Sequence, residues 1–167
     1  MEVTLHSWTS VNNLKMETIN IQISRDEVYE EVAKATDYTG SKLIDGDETA
    51  RDRILAADDD LAELGRFWDE SVLAVNENFK EMLIYGKTTG TPSCYMAEME
   101  VSKSFDKSLT PSVHSTLRSY FIASIIGQWF KFANKEEAAD YFSQAVELLE
   151  TAERLLYSRK KPSVPKD

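Results

Sequence analysis

The chain has 167 residues, 42% of them apolar and 10% aromatic. That is the size of one ordinary domain with a real core, which excludes disorder as the state of its body. Its 19 Lys and Arg against 29 Asp and Glu leave a formal charge of −10, which disfavours a surface built wholly for nucleic-acid phosphates. One cysteine excludes an internal disulfide framework, and few Gly and Pro (6 and 4) favour helix over a many-turned β fold.

Residues 1–15 carry no clear period, and Trp8 is their one large apolar side chain. They read as an arm, docked or mobile. Ile19, Ile21 and Ile23 then alternate with Asn20 and Gln22, the pattern of a short half-buried strand. Ser24 ends it and, with Glu27 three residues on, forms a capping box that opens a helix. Val28, Tyr29, Val32, Ala33 and Ala35 give that helix an apolar side, and Gly40 marks its expected end. A turn at Asp45-Gly46-Asp47 and a short helix over Glu48–Ala57 follow.

Asp58-Asp59-Asp60 is expected to cap a long helix running to about Tyr85. Its seam is Leu61, Trp68, Val75 and Met82 at spacing seven, with Leu64, Val72 and Phe79 between, a pattern of bundle packing. Gly86 stops it, and Lys87–Ser93 reads as a loop. From Tyr95 to Phe105 alternation returns, with Tyr95, Ala97, Met99, Val101, Lys103 and Phe105 on one side. This strand and the Ile19–Ile23 strand are expected to pair as a ribbon that leans on the helices or on another subunit.

Thr110-Pro111 starts the next helix. Leu117, Tyr120, Phe121, Ile122, Ile125, Ile126, Trp129, Phe130 and Phe132 make it apolar nearly all round, so it is expected at the centre. Asn134 breaks it and caps the last helix, with Glu137 as capping-box partner. There Ala138, Ala145 and Ala152 recur every seven residues between the pairs Tyr141/Phe142, Leu148/Leu149 and Leu155/Leu156. That single stripe is expected to pack across the central helix. Pro162 and Pro165 bar further helix, so residues 1–161 read as one domain and 162–167 as a flexible tail. No secretory signal is expected from Glu2 and the polar run 7–13, and the run 120–132 is too short for a bilayer.

Few residues point to chemistry. Asp58-Asp59-Asp60 reads as a cap, because neighbours on a helix do not converge on one ion. The Asp45–Glu48 turn lacks the alternating ligands and the terminal Glu of a calcium loop. His6 and His114 have no partner at metal-ligand spacing, and Cys94 has no local His or CxxC motif. No Glu-x-x-His is present for a di-iron bundle site. Glu63, Asp69, Glu70, Glu77 and Glu81 read as a solvated face, or as the wall of an acidic lumen if the protein forms a ring. Trp68 and Trp129 read as core, with a partner pocket as the alternative. Arg154, Arg159, Lys160, Lys161 and Lys166 form the one basic cluster. They suit the dipole at a helix C-terminus, or a transient contact with nucleic acid or an acidic partner.

The stretches Ile126-Gly127-Gln128-Trp129-Phe130, Asn134-Lys135-Glu136-Glu137-Ala138 and Leu155-Leu156-Tyr157-Ser158-Arg159 resemble the small helical head–tail connector (neck) proteins of tailed phages and prophages. The resemblance covers about the last third of the chain. It implies subunits that form a ring beneath the portal, an extended or β element that reaches to neighbours, and a helical body around the DNA channel. An acidic balance suits a channel through which DNA slides without sticking. The family has no catalytic set to carry over.

The expected fold is mainly α, a bundle of about four to five helices with a small two-stranded β ribbon. The expected function is non-enzymatic and structural: an assembly protein of the head–tail connector kind that self-associates as a ring, cytoplasmic or in the virion. The alternative is a monomeric or dimeric adaptor that binds a protein partner. Neither needs a cofactor, a metal, a membrane or sequence-specific contact with nucleic acid. Trp8, Ile19, Ile21, Tyr95, Met99 and Phe105 are the expected contact residues, with packing inside the chain as the competing reading of each.

Overall fold

The computed structural model of the chain describes residues 16–43, 60–84, 89–91 and 93–163. In order they form β1 (Glu17–Ser24), α1 (Arg25–Leu43), α2 (Leu61–Asn78), β2 (Thr89–Thr91), β3 (Cys94–Val101), a 3₁₀ turn (Lys107–Leu109), α3 (Thr110–Ala133) and α4 (Lys135–Leu156). The fold is therefore mainly α with a small antiparallel sheet, as the periodicities predict.

The ribbon pairs β1 with β3 over all eight residues, with Ile19 opposite Met99, Ile21 opposite Ala97 and Ile23 opposite Tyr95. The register puts every one of these side chains on the buried face. A slip of one residue would turn them all to solvent, so the alternation itself fixes the pairing. β2 adds a three-residue strand to the other edge of β3, giving the order β1-β3-β2. It falls in the expected loop, because Thr-Gly-Thr has no apolar alternation to announce a strand.

The caps predicted at Ser24 and Asn134 form, whereas Asp60 stands at the N-cap of α2 with no side-chain capping hydrogen bond. Ser24 Oγ accepts from the Glu27 N–H at 3.5 Å, and Asn134 Oδ1 accepts from the Glu137 N–H at 3.3 Å. Asn134 also closes α3, its N–H donating to the Phe130 carbonyl at 2.8 Å. Two helices end elsewhere than expected. α1 continues past Gly40 to Leu43. α2 stops at Asn78, not near Tyr85. Beyond it the chain turns at Phe79–Met82 and lies along β3: Leu83 bridges Met99, the Ile84 N–H donates to the Glu98 carbonyl at 3.0 Å, and the Glu100 N–H donates to the Met82 carbonyl at 2.7 Å. Sheet pairing there takes the backbone groups that another helical turn would have used. Likewise β3 ends at Val101, a turn carries Lys103 into solvent, and Phe105 turns inward. The expected turn at 45–47, the helix over 48–57, Asp58, Asp59 and the stretch 164–167 lie outside the described residues.

α3 is the central helix, touching α1, α2, α4 and β1. Val113, Leu117, Phe121, Ile125 and Phe130 on it are fully buried. At its middle an aromatic cluster joins four elements. Phe121 lies 4.7 Å from Trp68 of α2 and 5.4 Å from Tyr95 of β3, and Trp68 meets Tyr29 of α1 edge-on at 6.4 Å. Burying rings of this size contributes about 2–3 kcal/mol each, so this cluster fixes the sheet to the bundle. Ala138, Ala145 and Ala152 are the buried stripe of α4. Their small side chains let α4 lie close along α3, and Phe142 covers Gly127 so tightly that a Cβ there would be 3.0 Å from its ring.

Between α2 and α3 the core holds one polar link. Ser71 Oγ donates to the Phe67 carbonyl at 2.8 Å and lies 2.9 Å from Ser124 Oγ, which accepts from Gln128 Nε2 at 3.4 Å. Since the Ser71 proton is committed to Phe67, Ser124 must be the donor between the two hydroxyls.

Candidate functional site

The expected contact residues divide in two. Ile19, Ile21, Tyr95, Met99 and Phe105 all lie in the subunit's own core, each at most 5% exposed. They follow the competing reading, packing inside the chain, because the sheet lays its apolar face on α3. Trp8 lies outside the described residues. Tyr95 also donates its hydroxyl to Asn76 Oδ1 at 3.0 Å, and burial pushes its pKa well above the ordinary range.

Of the residues weighed for chemistry, His114 and Cys94 make contacts within the fold, and His6 lies outside the described residues. A ring nitrogen of His114, Nε2, meets the Gln22 carbonyl on β1. A carbonyl only accepts, so that nitrogen carries a proton, and the contact covers part of an edge strand. Cys94 Sγ lies 3.6 Å from the Tyr95 carbonyl and is half-buried. Among the described residues, no three His, Cys, Asp or Glu side chains group as metal ligands, and no helix is long and apolar enough to cross a membrane. Glu63, Asp69, Glu70, Glu77 and Glu81 are all exposed, which suits a solvated face and a lumen wall alike.

What the surface does offer is apolar and aromatic. Trp68 is core, but Trp129 is only half-buried. It lines a groove of about 400 Å³ where the start of α2 meets the end of α3, with Arg66, Phe67, Gln128 and Phe132. Phe132 stands on its rim, 85% exposed. The Arg66 guanidinium lies 5.0 Å from the centre of the Phe67 ring, and Lys131 Nζ lies 5.8 Å from that of Phe132. Arg66 also pairs with Glu63 at 2.7 Å and reaches Glu70 at 3.8 Å. The site is thus aromatic walls edged by charge, a composition typical of protein contacts. A phenyl ring left in water is the costly part, and burying it against a partner returns about 2 kcal/mol.

By sequence Phe132 belongs to the apolar run of α3. The signal that separates it was present. Phe130 holds the core position, and two residues further on a helix points about 200° away. The all-round apolarity of the run hid that.

A second depression, of about 270 Å³, lies between the end of α2 and the end of α4, where Phe79, Met82, Glu153 and Tyr157 meet. Tyr157 is 61% exposed. Exposed aromatics therefore stand at both ends of the α3–α4 pair. Compared with protein-family models, with curated proteins and with solved structures, the chain matches none.

Proposed function

We propose that this protein is a non-enzymatic assembly subunit that works by binding copies of itself, as a ring-forming head–tail connector of the tailed-phage kind. The observation that carries the reading is Phe132, 85% exposed on the rim of a groove already walled by Phe67 and Trp129. A bulky ring held out beside an apolar groove marks a surface for protein. The connector part rests on the resemblance over residues 126–159, which here form the antiparallel α3–α4 pair around Asn134.

The test is mass by light scattering on a sizing column, over a range of concentrations and salt, for the protein and for Phe132→Ser. A discrete high-order oligomer is expected, with Phe132→Ser losing subunits at an unchanged melting temperature. A strict monomer under every condition would overturn self-assembly and move the groove to the adaptor reading, with a segment of another protein as its occupant.

A further inference from the structure

α4 and the loops at its foot carry two exposed surfaces of opposite charge, the basic one with exposed Glu153 at its edge. The first is a row of carboxylates. Glu136, Asp140, Glu147 and Glu150 are exposed and fall on one face of α4, at spacings of four, seven and three residues. On the other helices several acids are paired locally, though exposed Glu30 and Asp69 make no ion pair among the described residues. Glu31 pairs with Lys34, Glu63 and Glu70 with Arg66, Glu77 with Lys80, and Glu27 with Arg118. Among the described residues, none of the four on α4 has such a partner.

The second surface is basic, and the fold assembles it. Arg159 bridges Phe105 antiparallel, the Lys160 N–H donates to the Ser104 carbonyl at 2.8 Å, and the Asp106 N–H donates to the Ser158 carbonyl at 3.4 Å. This brings Lys103, from the turn after β3, to the same end as Arg154, Arg159, Lys160 and Lys161. All five are exposed. Two carboxylates at this end are already engaged, Glu17 with Lys107 at 3.2 Å and Asp106 with Ser108 at 2.7 Å. Lys160 also draws the Asp106 pKa down, behind that hydrogen bond.

The 22 residues of α4 span about 33 Å, so the ends of the helix are far apart. In sequence the acidic row starts four residues after exposed Phe132, and Arg159 of the foot lies two residues after exposed Tyr157. The row carries negative charge and the foot mainly positive charge. Two different complementary patches on one molecule make a head-to-tail contact, which repeats from subunit to subunit and closes as a ring when the rotation allows. We propose that the basic foot of one copy docks on the acidic α4 row of the next. This rests on the self-assembly proposed above and names the surfaces that perform it.

Two variants test it. One neutralises the foot (Arg159→Ser, Lys160→Ser, Lys161→Ser). The other neutralises the row (Glu136→Gln, Asp140→Asn, Glu147→Gln, Glu150→Gln). All seven side chains are exposed, and the foot is held by backbone bonds, so both variants should melt as the parent does. At roughly 50 mM salt the parent should associate and at roughly 500 mM it should lose subunits. Either variant alone should associate at least about tenfold more weakly. Mixed, the intact row of one meets the intact foot of the other, and the product should be a pair that grows no further. A parent that stays a two-subunit species at every concentration overturns the head-to-tail contact, as does a mixture that restores no pairing. An oligomer unaffected by either variant or by salt overturns this contact and leaves self-assembly standing. A parent that is always monomeric overturns both. If a DNA duplex of roughly 30 base pairs binds the parent and not the foot variant, while subunit association is unchanged, the foot is a nucleic-acid surface and the proposal fails.

Discussion

Replacing Ser71 and Ser124 by alanine, singly and together, tests how α2 is held to α3. Both hydroxyls are buried, at 1% and 7% exposure, and the proton order fixes what each loss does. Ser71→Ala removes the acceptor 2.9 Å from Ser124 Oγ, leaving the Tyr120 hydroxyl as its other side-chain partner. A buried hydroxyl without its partner costs about 1–3 kcal/mol. The Ser124 proton can swing back to the carbonyl one turn earlier in its own helix, so the cost falls at the lower end, about 1–1.5 kcal/mol. Ser124→Ala leaves Ser71 still donating to Phe67 and frees half-buried Gln128 to find water, at about 1 kcal/mol. The double variant has no orphan left and should cost less than the two single values together, by at least about 0.5 kcal/mol. Urea unfolding at low protein concentration reads all three. With a slope of about 2 kcal/mol per molar, each kilocalorie moves the midpoint by about 0.5 M. Additivity within about 0.3 kcal/mol would refute the reasoning, because two unconnected hydroxyls behave that way.

Asn134→Ala removes the cap that opens α4 and should cost about 1 kcal/mol, a drop of about 3 °C in a chain of this size, read by thermal melting. Gly127→Ala gains about 1 kcal/mol of helix propensity but meets the Phe142 ring at 3.0 Å. It should therefore be nearly neutral alone and about 1 kcal/mol more favourable when Phe142 is also alanine, by the same urea assay. Burial raises the Tyr95 pKa above its unfolded value near 10. Below pH 10 both states keep that proton; above it only the folded state does, so stability should fall by up to about 1.4 kcal/mol per pH unit. Tyr95→Phe should reduce that slope, and an unchanged slope in alkaline melts would remove Tyr95 from the account.

The parts legible in the sequence are those set by short-range rules. Thr110-Pro111 and Asn134 announce α3 and α4 because caps and proline act within one turn. The Ile19–Ile23 alternation gives the buried face of β1 because the strand period is two. Where competition between distant segments decides, the sequence is silent. α2 keeps its heptad through Met82, yet the helix yields at Asn78 because β3 offers Leu83 and Ile84 a better set of backbone partners. The foot is hidden for the same reason, since nothing near Lys103 says that it will lie beside Arg159. A two-stranded ribbon is marginal alone, which makes its apolar residues the expected contacts. Here α3 supplies the missing support, which takes those side chains out of reach of another chain.

That support also separates folding from assembly. The aromatic cluster of Tyr29, Trp68, Tyr95 and Phe121 and the alanine stripe of α4 hold the subunit from within. Phe132, Tyr157, the acidic row and the basic foot all lie outside that packing. A surface whose side chains make few internal contacts adds little to the stability of the lone subunit. Its charge and its exposed rings are therefore free to be set by what docks there. Neutralising them should change association and leave the melt alone, whereas cutting into the cluster should do the reverse. One variant of each kind, such as Phe132→Ser against Trp68→Ala, makes the comparison. Trp68→Ala should lose about 3–5 kcal/mol of stability, while Phe132→Ser should lose subunits and keep its melting temperature. A Phe132→Ser protein that melted far below its parent would place that ring in the core energetics and take it out of the assembly surface.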